Sequence, residues 1–274
     1  MYLWYKAMDI FIVFSGLIQI FTFYLVSFIM VISFSIGVLY MKSENKSYVS
    51  LVIVAAGKGT RMNMDVNKQY INVGGIPILA RTLKIFDSLN YIDEIILVVH
   101  SDDILYCREN IIHGRNYMKI KSVVTGGATR QDSVFNGLKE VAEKADIVLI
   151  HDGARPFIDE DSIIRCIEAV EQYGVATVAV PVKDTVKSSD SEGFVNSTLD
   201  RSVLWSIQTP QAFKYNIIMD SHKQAQHEGF VGTDDTVLAE RLGNKTKLVM
   251  GTYNNIKITT REDLIFAEAI VKSS

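Results

Sequence analysis

Two cysteines, four prolines and a formal net charge of −3 in 274 residues exclude several kinds of protein at once. Two cysteines cannot build a disulfide-dense scaffold, and so few prolines rule out a collagen-like or proline-rich disordered chain. With 28 Lys+Arg against 31 Asp+Glu there is no bulk attraction to polyanions. Nucleic acid is therefore not an expected partner, and a phosphate ligand would need a local cluster of cations. Cys107 and Cys166 lack metal-ligand spacing and fit reduced thiols of a cytoplasmic protein. His222 and His227 stand five apart, not the four of the two-histidine zinc motif, and read as surface residues.

Charge is scarcest at the start, where Lys6 and Asp9 are the only fully charged side chains in the first 40 residues. The run over 10–40 holds no ionisable group besides Tyr24 and Tyr40. At about 1.5 Å per helical residue it is long enough to cross a ~30 Å hydrocarbon core. It far exceeds the apolar part of a cleaved secretory signal. Two readings remain: a membrane anchor with the Lys42/Lys46 flank on the cytoplasmic side, or translation from Met41, with 1–40 outside the working protein. The Met41 start is the preferred expectation, because MKSENKSYVSLVIVAAG passes from a short polar start straight into a strand. A membrane partner follows only if 1–40 is translated.

Residues 41–274 alternate β-branched apolar runs with amphipathic stretches. LVIVAAG, EIILVVH, IKSVVTGG, DIVLIHDG, VATVAVPV and KLVMG predict strands, most of them buried on both faces of a largely parallel sheet. Helices are predicted over 77–89, 132–144 and 161–173, the last stopped by Gly174. The expected fold is a doubly wound, mostly parallel α/β sandwich. Residues 183–205 interrupt the alternation: polar, β-prone at both ends and centred on a Ser/Asp/Gly turn, they predict a projecting β-hairpin arm. Two isolated strands are marginal in water, so a partner subunit is the natural surface for the arm. Asp184 and Arg201 are candidates to pair across it. The final helix starts near Arg261 with a capping-box pattern in Thr259, Thr260, Glu262 and Asp263.

The strongest chemical signal is AAGKGTRM at 55–62, directly after the first strand. Small residues there let backbone N–H groups converge on a phosphate, and Lys58 and Arg61 add charge. The spacing is neither that of a P-loop nor that of a dinucleotide fingerprint, since Met62 stands where the latter needs its third glycine. Alone, the loop could be an ordinary turn. NKQY at 67–70, GGATRQDSV at 126–134 and HDGARP at 151–156 change that, because the loop and the last two fall at carboxyl ends of predicted strands, where ligands bind in open α/β sheets.

Together with PVKDTVK at 181–187, LDRSVLW at 199–205, QTPQAF at 208–213, TDD at 233–235 and NIKITT at 255–260, these segments resemble the cytidylyltransferases that use 2-C-methyl-D-erythritol 4-phosphate in non-mevalonate isoprenoid synthesis. The resemblance runs in order over 49–271 and omits the first 40 residues. It implies a Rossmann-like nucleotidyltransferase sheet. It also implies a reaction in which the polyol phosphate attacks the α-phosphorus of CTP and pyrophosphate leaves. A phosphate monoester is already anionic at neutral pH and needs no general base. Alignment and charge neutralisation are what such a reaction requires, and the sequence shows no Ser/His/Asp or Cys/His constellation.

By the same resemblance, Ala55, Ala56, Gly57 and Gly59 cradle CTP, with Gly127, Arg130 and Ser133 on the nucleotide side. Arg61, Lys68 and Lys257 are the catalytic cations. Asp152 is the ligand for Mg2+ or another divalent cation, with His151 a structural neighbour. Arg155, Thr185, Arg201, Thr209 and Thr233 face the second substrate, some of them across a homodimer built through the arm. Ala128 stands where some relatives have an acidic residue, and Asn254 stands where an acidic residue commonly precedes the lysine of NIK. The nearest alternative is a ribitol 5-phosphate cytidylyltransferase, which Gly153, Ala154 and the uninterrupted PVKDTVK disfavour. An alternative of another class is a membrane-tethered nucleotide-binding module without catalysis.

Overall fold

In the computed structural model, residues 46–57 and 67–273 are described. The apolar run over 10–40 and residues Gly59 and Arg61 fall outside them. No helix among the described residues is long and apolar enough to cross a membrane.

Strand β1 (Val49–Ala55) is buried along almost its whole length, as a continuous β-branched run between two covered faces must be. Its side chains alternate with the period of two that a strand imposes. Leu51 and Ile53 enter one core, and Val52 enters the other. After β1 come a short hairpin of β2 (Asn72–Val73) and β3 (Ile76–Pro77) and helix α1 (Ile78–Ser88). Gly74 and Gly75 join the two hairpin strands with φ of +56° and +75°, a pair of left-handed positions that favours glycine.

The alternation continues through β4 (Glu94–Val99), β5 (Ile120–Thr125), α2 (Arg130–Leu138), β6 (Ile147–Asp152), α3 (Glu160–Tyr173) and β7 (Val175–Pro181). Then follow β8 (Lys187–Ser189), β9 (Val195–Thr198), β10 (Trp205–Lys214), α4 (Tyr215–Glu228), α5 (Asp235–Arg241), β11 (Lys247–Met250) and α6 (Arg261–Ser273). The main sheet has seven strands in the order β11-β7-β10-β6-β1-β4-β5. Its pairings are parallel except where β10 lies antiparallel between β6 and β7. Helices α1 and α3 cover one face through Leu83, Phe86, Ile163 and Val170. On the other, Val134, Ile218 and Ala239 bring in α2, α4 and α5. This is the expected doubly wound, mostly parallel sandwich.

Three features depart from the sequence reading. The helix expected over 132–144 stops at Leu138, because the buried Glu94 carboxylate takes the Ala142 N–H at 2.8 Å and the Ser50 hydroxyl at 2.6 Å. A tertiary acceptor thereby replaces the next helical turn. Strand β10 was not anticipated, since Gln208, Thr209, Pro210 and Gln211 argue against a central strand. Its register shifts between Ile207 and Gln211, and the amides of Gln208 and Gln211 find Thr252 O at 3.0 Å and Asp234 Oδ2 at 2.8 Å. Finally, His222 is not a surface residue. It is buried, whereas His227 is exposed as expected.

The 183–205 segment contains the hairpin, with β8 and β9 forming a separate two-stranded antiparallel sheet. Its turn is held by Asp190 Oδ1, which accepts from Glu192 N and Phe194 N. Arg201 donates to the Lys183 carbonyl at 2.5 Å rather than pairing with Asp184, the alternative weighed for it. Both cysteines are free and buried, and α6 begins with Asp263 accepting from the N–H groups of Thr259 and Thr260.

Helix α2 lies so close to the sheet that a Cβ on Gly137 would stand 2.5 Å from Val52 Cγ1 and 2.9 Å from Val98 Cγ2. Overpacking of this kind costs about 1–3 kcal/mol, more than the ~1 kcal/mol that alanine gains over glycine in a helix. Gly137→Ala is expected to lower unfolding free energy by roughly 1–2 kcal/mol in a denaturant titration; an unchanged midpoint would show that the contact is looser.

Candidate active site

Four parallel strands end on one edge, and their exits form a cavity of about 600 Å³. From β1 come Ala55, Ala56 and Gly57, from β4 His100, from the β5 exit Gly127, Ala128 and Thr129, and from β6 Asp152. The small residues are required by close approach: a Cβ on Gly126 would lie 2.3 Å from Ala56 Cβ. Ser133 ties this wall together, accepting from Gly127 N at 3.0 Å and donating to Thr129 O at 2.9 Å. Thr129 also caps α2 in a capping box with Asp132, which presents Arg130 as the first helical residue. Lys68 reaches the wall from the 67–70 turn, anchored by Gln69 Nε2 donating to Ala55 O at 2.9 Å.

At the end of β6 the site becomes ionic. Asp152 Oδ2 is 2.7 Å from Lys257 Nζ and 3.9 Å from Arg155 Nε, and Asp152 Oδ1 is 3.2 Å from Arg130 Nε. Burial by itself would raise this carboxyl, but Arg130, Lys257 and Arg155 outweigh it and hold it well below the usual carboxylate range. Arg130 is gripped from behind as well, its Nη1 lying 2.7 Å from the buried Asp235. Burial opposes the Arg130 charge, yet Asp235 and Asp152 keep it more firmly protonated than an ordinary arginine. The 255–258 segment that carries Lys257 is pinned by Asn255, whose Nδ2 donates to Gln208 Oε1 and Thr209 O at 2.9 Å each. Ile258 N donates to Ala154 O at 2.9 Å. The described lining residues include three cations, Lys68, Arg130 and Lys257, and one carboxylate, Asp152, a balance suited to a polyanion.

His151 is fully buried beneath this cluster and supports it, as expected of a structural neighbour. Asp152 N donates to Thr209 Oγ1 at 3.1 Å, and that hydroxyl lies 3.0 Å from His151 Nδ1. With Nδ1 accepting, Nε2–H donates to Arg155 O at 3.1 Å.

The structure thus brings Ala55, Ala56, Gly57, Lys68, Gly127, Arg130, Ser133, Asp152 and Lys257 to one cavity. Arg155 and Thr209 stand directly behind Asp152. Thr185, Arg201 and Thr233 are exposed and do not line it within the single chain. Gln69, His100, Ala154 and Thr259 do line it and are not among the site residues expected from the sequence. Asp235 and Asn255 were quoted only as members of TDD and NIKITT.

The family model for 2-C-methyl-D-erythritol 4-phosphate cytidylyltransferase (IspD) matches residues 49–273. The chain belongs to this family. A relative in Caldanaerobacter subterraneus subsp. tengcongensis, a 2-C-methyl-D-erythritol 4-phosphate cytidylyltransferase, is 48% identical over 224 residues, covering 82% of this chain and 99% of its own. One in Clostridium novyi with the same designation is 49% identical over 222 residues, covering 81% and 96%. The crystal structure of 4-diphosphocytidyl-2C-methyl-D-erythritol synthase from Anaerococcus prevotii superimposes with a TM-score of 0.75 at 38% identity, covering 83% of this chain and 97% of that one. Membership in this family of CTP-dependent transferases sets aside the non-catalytic binding module.

The His151 environment makes acid stability predictable. Burial depresses its pKa from 6.5 to about 4, so between those values the unfolded chain binds a proton that the folded chain does not. This contribution to stability is complete above about pH 6.5 and is lost as the pH falls toward 4, by an amount on the order of 3 kcal/mol. Denaturant midpoints recorded from pH 7 to 4 should decline, and His151→Gln, which cannot titrate, should decline less. Parallel profiles would mean that His151 is not buried neutral.

Proposed function

We propose that the chain transfers CMP from CTP to 2-C-methyl-D-erythritol 4-phosphate, giving 4-diphosphocytidyl-2-C-methyl-D-erythritol and pyrophosphate in the supply of isoprenoid precursors. The observation that carries the reading is the division of the cavity. Its wall carries neutral backbone from two glycine-containing loops, and at the end of β6 two lining cations, Arg130 and Lys257, meet a buried carboxylate, with Lys68 a third cation of the lining. A nucleoside triphosphate has the same division, with a neutral base at one end and a polyanion at the other.

In this reading Ala55, Ala56, Gly57, Gly59 and Gly127 offer backbone groups to the base and phosphates, with Ser133 holding Gly127 in place. A phosphate oxygen of the second substrate forms the new bond to the α-phosphorus as the bond to pyrophosphate breaks, and no proton has to be removed first. Arg61, Lys68 and Lys257 stabilise the charge that builds on the α-phosphoryl oxygens and on the leaving group. Arg130 takes part from the nucleotide side.

Asp152 suits a magnesium ion that arrives with the triphosphate. It is ionised, offers oxygen alone, and is the lone carboxylate among the described lining residues, and Mg2+ commonly takes one or two carboxylates plus substrate phosphates. Such an ion, when bound, neutralises triphosphate charge and polarises the leaving pyrophosphate. Asn254 is exposed and lies outside the cavity lining, so Asp152 is the protein ligand proposed.

Arg155, Thr185, Arg201, Thr209 and Thr233 are assigned to the polyol phosphate. Arg155 and Thr209 meet Asp152, whereas Thr185 and Arg201 belong to the arm region, and a second subunit would bring an arm to the cavity mouth. Exposed Phe194, Val195 and Val203 on and beside the arm give that homodimer its apolar contact. The catalytic domain is taken as 41–274.

Pyrophosphate release should be fast with CTP, Mg2+ and 2-C-methyl-D-erythritol 4-phosphate and slow with ribitol 5-phosphate, for the whole chain and for 41–274 alike. The opposite preference would transfer the assignment to the ribitol enzyme. Lys68→Ala and Lys257→Ala should each lower kcat on the order of 10²-fold or more, because each removes a cation aimed at transition-state charge. Turnover within a few-fold of the parent would remove that lysine from the mechanism.

A further inference from the structure

His222 lies outside the cavity, on α4, yet it joins a closed set of contacts that ends on Arg130. Its Nε2 approaches Asp235 Oδ1 at 3.4 Å, within ion-pair range but without an aligned hydrogen bond, and both side chains are only 1% exposed. The other oxygen, Oδ2, accepts from Arg130 Nη1 at 2.7 Å. The imidazole stacks on Phe135, ring centroids 5.7 Å apart and planes within 2°. Phe135 stands on α2, the helix that Arg130 begins. The circuit therefore runs from Arg130 to Asp235, to His222, to Phe135 and back along one helix, tying α2, α4 and α5 together behind the nucleotide wall.

The circuit bears on function because Arg130 is divided between two carboxylates. Asp152 holds Nε inside the cavity at 3.2 Å, and Asp235 holds Nη1 from outside. A buried carboxylate whose second oxygen lacks a facing donor is costly and is held through its first oxygen alone. Were Asp235 to turn away, the guanidinium would be left to Asp152 alone and its fork would no longer be aimed. The Asp235 backbone N–H is fixed by Gln211 Oε1 at 3.0 Å, so the main chain is set and only the side-chain torsions remain to be determined. The imidazole nitrogen faces the oxygen that Arg130 does not use, and Phe135 fixes the plane of the ring.

We propose that His222 is a positioning residue for nucleotide binding, acting through Asp235 on Arg130. The inference rests on the nucleotide reading of the cavity. It goes beyond that reading by extending the binding apparatus to a side chain that touches no substrate.

The test compares the full-length parent with His222→Phe, which keeps the stack and removes the nitrogen, and His222→Gln, which retains a side-chain N–H. The KM for CTP, and CTP binding at equilibrium, should weaken roughly five-fold or more in His222→Phe and recover largely in His222→Gln. The kcat and the KM for the polyol phosphate should stay within about two-fold. In an Asp235→Asn background, His222→Phe should add little further loss, as expected of residues acting in one chain. If the phenylalanine variant does not fold, His222→Leu takes its place in the same cycle. A folded variant lacking the nitrogen whose CTP affinity equals that of the parent overturns the proposal. So does an equal loss in both backgrounds, or a fall in melting temperature without a change in KM. Failure of the parent to bind CTP or to turn over would instead overturn the nucleotide reading.

Discussion

Asp152 is a carboxylate buried at the end of a central strand, and three cations from separate parts of the chain meet around it. Arg130 comes from the first turn of α2, Arg155 from the turn just beyond β6, and Lys257 from the segment before α6. An isolated carboxylate at this depth would be costly to keep ionised. Here the cations keep it charged, and it in turn keeps them together although they repel one another. The surplus positive charge is what the cavity offers a polyanion. Removing Asp152 would both release three mutually repelling groups and delete the proposed metal ligand, so its structural and chemical roles are inseparable.

Much of the surrounding architecture maintains that arrangement. The antiparallel β10 inserts beside β6 and supplies Thr209, whose hydroxyl meets both the Asp152 N–H and His151. It also supplies Gln208, which with Thr209 O holds Asn255 and so the approach of Lys257. Gln211, on the same strand, reaches Asp234 and the Asp235 N–H, which places the carboxylate behind Arg130. The polar residues that make β10 an unusual central strand are those that aim the cations. A strand of valine and isoleucine would pack well there and leave Lys257 and Arg130 without their supports.

The neutral wall of the site follows a different constraint, that of distance. Gly126 and Ala56 are small because the loops leaving β1 and β5 nearly touch. Ser133 and the capping box of α2 hold the second loop against the first. Backbone groups thus line part of the wall and side-chain charge gathers at the end of β6, without a polar side chain at position 128.

The continuous β-branched runs of β1, β4, β6 and β7 were legible as buried parallel strands because burial on both faces leaves a local signature. The glycine loop, the HDGARP turn and the arm were legible through turn chemistry and motif order. Seven of the nine candidate residues that line the cavity could be placed on one edge from strand ends, whereas Lys68 and Lys257 were legible only through the resemblance. Hidden in the sequence were the strand character of β10, the early stop of α2 and the burial of His222, which go with neighbours outside the local segment: the flanking strands β6 and β7, Glu94 and Phe135. Residue type and local period determined which segments become strands and which residues can carry charge. Only the tertiary structure decided which charges meet, because burial and pairing depend on groups brought together across the chain, Arg130 with Asp235 and Lys257 with Asp152 from more than a hundred residues apart.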